Sequence, residues 1–137
     1  MRAMAVDHGL ARVGCAISDP TGTIVRPLEV IEPPDPDAVA RLAEDEGAEV
    51  VVVGLPVMMD GTEGEQAAAA RAFAAALAER LSIPVETYDE RLTTRMAGIT
   101  AEMGATAPED ALAAAHLLES YLEAARRRGT MHPEGPG

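Results

Sequence analysis

Four consecutive valines, Val50-Val51-Val52-Val53, constrain the fold of this chain more than any other feature. A β-branched run without alternation belongs to a strand covered on both faces, which points to a central parallel strand. The run stops at Gly54-Leu55-Pro56. A second strand, Ile83 to Tyr88, ends on Asp89-Glu90-Arg91. Between them lies an Ala-rich segment of high helix propensity. Thr62 and Glu65 have capping-box spacing, and the helix is predicted to run to about Leu81 with Ala70, Phe73, Leu77 and Leu81 on one face.

The chain ahead of the valines reads differently. Residues 3–8 and 12–18 predict two strands joined by the turn Gly9-Leu10-Ala11. Pro20-Thr21-Gly22 makes a second turn, and Thr23 to Ile31 a third strand, with Pro27 pointing to a sheet edge. Asp35 or Asp37 caps a helix through residues 38–43, and Gly47 ends it. After the last strand, Leu92-Thr93-Thr94 opens a helix of about ten residues. A final helix starts between Thr106 and Pro108 and runs to about Arg128, with Ala113, Ala114, Leu117, Leu118, Tyr121 and Leu122 on its apolar face. The order βββαβαβαα predicts an α/β fold. Its mixed five-stranded sheet is an antiparallel meander followed by two parallel strands, with helices on both faces. Residues 1–128 form one domain in this reading, and residues 129–137 a disordered tail.

Composition narrows the function. Aromatics are only 2% of 137 residues, so the core is aliphatic. One cysteine excludes an internal disulfide. No apolar run approaches the roughly 20 residues that span a bilayer, and the N-terminus lacks a signal-peptide pattern. A soluble cytoplasmic protein is expected. The net charge of −12 argues against broad adhesion to nucleic acid. It remains compatible with a nucleic-acid enzyme that uses metal ions and a few local arginines.

Three acidic positions carry the chemistry. Asp7 ends the first strand, directly before the Gly9 turn. Asp89 and Glu90 end the last strand. Asp110 lies in the first turn of the final helix, on the same face as Ala113 and Leu117. If the first, fourth and fifth strands run parallel, their carboxyl ends gather at one edge, where such sheets build their sites. Carboxylates brought together repel unless a cation lies between them. Mg²⁺ or Mn²⁺ suits hard oxygen ligands, and such ions hydrolyse phosphodiesters. Taken singly, Asp7 reads equally well as a turn acceptor, Asp110 as a helix-terminus acid, and Asp89-Glu90 as partners of Arg91. Cys15 and His116 read as packed side chains. His8 reads as a strand-end side chain with a structural role, or else as a contact to substrate or to a metal-bound water. Arg126-Arg127-Arg128 complements a helix C-terminus or meets phosphate.

The motifs resemble those of the YqgF family, in order, from about residue 4 to 123. They are Asp7-His8-Gly9, Arg12-Val13-Gly14, Ser18-Asp19, Val53-Gly54-Leu55-Pro56, Met59-Asp60-Gly61-Thr62-Glu63, Asp89-Glu90-Arg91-Leu92-Thr93-Thr94, Ala97, and Asp110 followed by the apolar positions of the last helix. The family is described as pre-16S ribosomal RNA nucleases and as Holliday junction resolvase-like. The resemblance implies a ribonuclease H-like fold, divalent-metal nuclease activity and a role in maturing the 5′ end of 16S rRNA. Its acidic site falls on Asp7, the Asp89-Glu90 pair and Asp110, with Mg²⁺ or Mn²⁺ as cofactor. Arg12, Arg91 and Arg95 are the candidates for phosphate contact. Precursor 16S rRNA, or branched or single-stranded DNA, is the expected partner of a monomer or homodimer, with no membrane involved.

Two departures from the family stand out. Leu10-Ala11 occupies positions where members carry Thr or Ser and then Lys or Arg. Residues 98–109 contain no basic residue. These losses motivate an alternative, a non-catalytic nucleic-acid or partner-binding module of ribosome biogenesis. A nucleotide phosphotransferase of the actin and sugar-kinase type opens with a similar Asp-x-Gly hairpin, but it needs two such domains to close on ATP.

Overall fold

The computed structural model describes residues 1–93 and 107–129. Its elements are β1 (Ala3–His8), β2 (Val13–Ser18), β3 (Val25–Ile31), α1 (Pro36–Asp45), β4 (Val50–Leu55), α2 (Glu65–Arg80), β5 (Val85–Asp89), a 3-10 turn (Glu90–Leu92) and α3 (Glu109–Arg127). The sheet order is β3-β2-β1-β4-β5. β1 and β2 pair antiparallel, as do β2 and β3, whereas β1, β4 and β5 run parallel. This is the mixed five-stranded sheet the sequence predicts. The valine strand lies inside it, and all six β4 residues are buried. Pro27 sits on the edge strand β3, where its missing N–H costs no ladder bond.

Strand alternation divides the core into two layers. Met4, Val6, Cys15, Ile17, Val51 and Val53 face α1 and α2, where Val39, Phe73 and Leu77 pack. Ala3, Ala5, Ala16, Val50 and Val52 face α3, where Ala114, Leu117, Leu118 and Leu122 pack. The side chains under α3 are mostly small, so that helix lies close to the sheet. Among the described residues, no helix is long and apolar enough to cross a membrane.

Several local expectations shift. The Asp35 carboxylate caps α1 by accepting from the Asp37 N–H at 2.9 Å, and Gly47 follows the helix with φ of 72°. The predicted Thr62–Glu65 capping box does not form. The Asp60 carboxylate instead accepts from the Thr62 N–H at 3.0 Å and the Thr62 hydroxyl at 2.7 Å, which holds Thr62 in a turn. α2 begins at Glu65 behind Gly64, without a side-chain cap. Leu92 belongs to a 3-10 turn rather than opening a helix. The rest of that predicted helix, the Thr106 start of the last helix and residues 130–137 lie outside the described residues. α3 begins at Glu109.

Candidate active site

Asp7 projects from β1 on the α3 side, because residues 3, 5 and 7 share one face of the strand. Its cross-strand partner is Gly14 on β2. Glu90 comes from the other side. Where β5 ends, the Asp89 carboxylate accepts from the Arg91 N–H at 2.9 Å and caps the 3-10 turn. That turn carries Glu90 back over the sheet, until its carboxyl meets that of Asp7 in a hydrogen bond. Two ionised carboxylates repel at such a contact, so it favours protonation of one of them. Burial, then the Asp7 charge, pushes Glu90 up to about 7. Burial also raises Asp7, opposed by the Glu90 hydrogen bond and reinforced by the charge of Asp110.

Two glycines make this arrangement possible. A Cβ at Gly54 would lie 2.6 Å from Glu90 Oε2 and 3.1 Å from Leu117 Cδ2. A Cβ at Gly14 would overlap the backbone carbonyl of Asp110. The first glycine leaves space for the Glu90 carboxyl. The second lets the start of α3 rest on β2 beside Asp7. Sequence reasoning did not single out either glycine as a positioning residue. The available signal was a glycine interrupting a strand, which marks close backbone approach.

The other candidates are placed as follows. Asp89 is held by Arg91, with Nη2–Oδ2 at 2.7 Å and Nε–Oδ2 at 3.0 Å. Arg91 Nη1 also donates to the carbonyls of Met58 and Met59, at 3.3 and 3.4 Å. Arg12 pairs with Glu32 at 2.9 Å and reaches Asp110 Oδ2 at 3.8 Å. Arg95 lies outside the described residues. His8 points to the opposite face of the sheet from Asp7 and packs on Phe73, ring centroids 4.8 Å apart, where burial lowers its pKa. Cys15 is a core residue whose thiol burial pushes up to about 12. His116 is buried in α3. In the last turn of that helix Arg126 donates to the Gly22 carbonyl at 2.9 Å, and Arg127 pairs with Glu123 at 2.7 Å.

Among the described residues, no three acidic, imidazole or thiol groups close into a ready-made metal cage. The donor chemistry nevertheless fits a hard divalent cation. Asp7, Glu90 and Asp110 offer only oxygen, the first two lie against each other, and the third adds to the negative field. A bound dication would relieve the repulsion between them.

A mixed sheet of order 3-2-1-4-5, with an acid ending its central strand and a helix bringing a second acid to the same edge, defines the ribonuclease H-like class. The structure of Thermus thermophilus RuvC in complex with Holliday junction substrate superposes with a TM-score of 0.67 at 18% identity, covering 96% of this chain and 98% of that one. A second Thermus thermophilus RuvC structure gives the same TM-score at 16% identity, covering 96% of this chain and 99% of that one. At sequence level, the model of the RuvX family, described as Holliday junction resolvase, matches residues 1–124. A Rhodopirellula baltica protein named "Putative pre-16S rRNA nuclease" is 41% identical, over 95% of this chain and 81% of its own length. A protein of the same name from Thermobifida fusca is 42% identical, over 90% of this chain and 88% of its own length. The chain belongs to the RuvX family and is a nuclease of that family, a hydrolase of ester bonds.

Proposed function

We propose that this protein is a divalent-metal-dependent nuclease that hydrolyses phosphodiester bonds in the 5′-end maturation of 16S rRNA, on branched DNA, or on both. The observation that carries this reading is the meeting of the Asp7 and Glu90 carboxyls at the strand-end edge where Asp110 also arrives. Asp7, Glu90 and Asp110 hold the metal, Mg²⁺ or Mn²⁺. When bound, the metal activates water and stabilises the developing negative charge. Asp89 acts differently, capping the turn that aims Glu90 and holding Arg91. Arg12, next to Asp110, is placed to meet a phosphate entering the site. Glu90, with its pKa near neutrality, also suits proton transfer at the reacting centre. Substrates of this kind place the protein in the cytoplasm.

The test is direct. Purified protein with Mn²⁺ is expected to cut a precursor 16S rRNA fragment or a four-way DNA junction, and Asp7→Asn to abolish the cut. Equal cutting by the two proteins would sink the assignment. Chelation with EDTA is expected to stop cleavage reversibly.

A further inference from the structure

The described residues include five large hydrophobic side chains exposed to solvent. Four belong to the edge that carries Asp7 and Glu90: Leu10 at 73% exposure, Met58 at 57%, Met59 at 89% and Leu92 at 59%. The fifth, Ile24, sits in the β2–β3 turn at the other end of the sheet. Leu10 is in the β1–β2 hairpin two residues beyond His8, and Leu92 follows Glu90 in the 3-10 turn. Met58 and Met59 stand on a built platform. The Val57–Glu63 bridge, the Met58 N–H to the Thr62 carbonyl at 2.9 Å and the Gly61 N–H to the Met58 carbonyl at 2.8 Å close their loop. Arg91 then ties that loop to the end of β5 through both methionine carbonyls.

Among the described residues of this edge, the arginines are already paired. Arg12, Arg71 and Arg91 each already bond a carboxylate, those of Glu32, Glu63 and Asp89. With a net charge of −12, counterion-driven affinity is small. Grip beyond the metal and Arg12 can then come from uncharged parts of a nucleic acid, and the base faces are the apolar ones. In a continuous duplex those faces are stacked, and a wedge must first unstack them at an energetic cost for each step. In single strands, and at branch points and ends, they are open, and Leu and Met serve as wedges against them. Methionine's flexible, polarisable side chain fits bases of any identity.

We infer that Leu10, Met58, Met59 and Leu92 form an apolar rim that packs against unpaired nucleobases flanking the scissile phosphate. The rim thereby directs the site to single-stranded or branched substrate irrespective of sequence. This rests on the nuclease reading above and adds its specificity element.

The test is a binding measurement in EDTA, where no metal supports cutting. Protein is titrated by fluorescence anisotropy against a labelled DNA single strand of about 15 nucleotides, and against the same strand with its central nucleotides abasic. The base-bearing strand is expected to bind about tenfold tighter. That ratio is expected to persist between about 50 and 200 mM salt, because base contact releases no counterions. Met59→Ser with Leu92→Ser is expected to bring the ratio close to one, and Met59→Leu with Leu92→Met to restore it. Both sites are exposed, so the fold survives these changes. Equal or undetectable affinity of the wild type for the two strands, or an unchanged ratio in the serine variant, overturns the inference and leaves the rim to a protein partner. Asp7→Asn is expected to keep the ratio while losing Mn²⁺-dependent cleavage, so the two readings fail separately.

Discussion

The two faces of this sheet are built from neighbouring residues put to opposite uses. On β1, Asp7 faces α3 and meets Glu90, while His8 faces the other way and packs on Phe73. On β2, Gly14 faces α3 and admits the backbone of Asp110, while Cys15 fills the core against α1 and α2. On β1 and β2 the α3 face is lined by Ala3, Ala5, Gly14 and Ala16, so a helix comes close enough to deliver an acid. The α1/α2 face is lined by larger apolar side chains and does nothing but pack. One residue of register separates chemistry from packing.

The largest separation is expected from the first pair. Asp7→Asn should lower metal-dependent cleavage several hundredfold or more, while His8→Ala leaves it within about threefold. A gel-based cleavage assay on both variants checks this. A comparable loss in His8→Ala would break the division between the faces. The second pair is expected to differ in kind. Gly14→Ala drives a methyl group into the Asp110 carbonyl, so α3 must move. A stability loss of about 1–3 kcal/mol is expected, together with most of the activity. Cys15→Ala should cost about 1 kcal/mol with activity retained. Urea unfolding with parallel rate measurements separates the two.

The third comparison uses pH. The folded-state pKa of Glu90 is raised to about 7, so its stabilising contribution is present below about 4.5 and is lost as pH rises towards 7. Without metal, Glu90→Gln is therefore expected to match the wild type near pH 5. By pH 8 it should be the more stable by about 1–2 kcal/mol, after allowance for partial exposure. Mn²⁺ affinity of the wild type is expected to rise through the same window, since binding needs the ionised pair. Thermal melts across pH, with and without Mn²⁺, read both effects. A pH-independent gap would remove the raised pKa of Glu90. The smallest effect is the stability loss of His8→Ala, about 0.5–1 kcal/mol from the Phe73 contact, measured in the same urea series.

Most of the sheet was legible in the sequence because its signals are local. The valine run marks a doubly covered strand, and Asp7, Asp89 and Asp110 sit at the ends of elements whose order fixes where they go. What stayed hidden depended on contacts across the fold. Spacing alone allowed Thr62 to cap α2, but the Asp60 carboxylate competes for its N–H and wins. Asp89 and Glu90 are adjacent in sequence and became distinct only through the 3-10 turn, which turns Glu90 inward and leaves Asp89 with Arg91. The roles of Gly14 and Gly54 depend on how near α3 and the end of β5 approach, which no periodicity encodes.

The bare Cα atoms at 14 and 54 bear on how activity is judged across a family. The usual inspection asks whether the acids are still there. A relative with every acid retained, but with alanine at 14, would pass that inspection and still meet the backbone at the start of α3, whereas alanine at 54 would ask only the Glu90 side chain to shift. If the acids form the proposed site, the missing side chain at 14 is as informative a mark of it as the charged groups it makes room for.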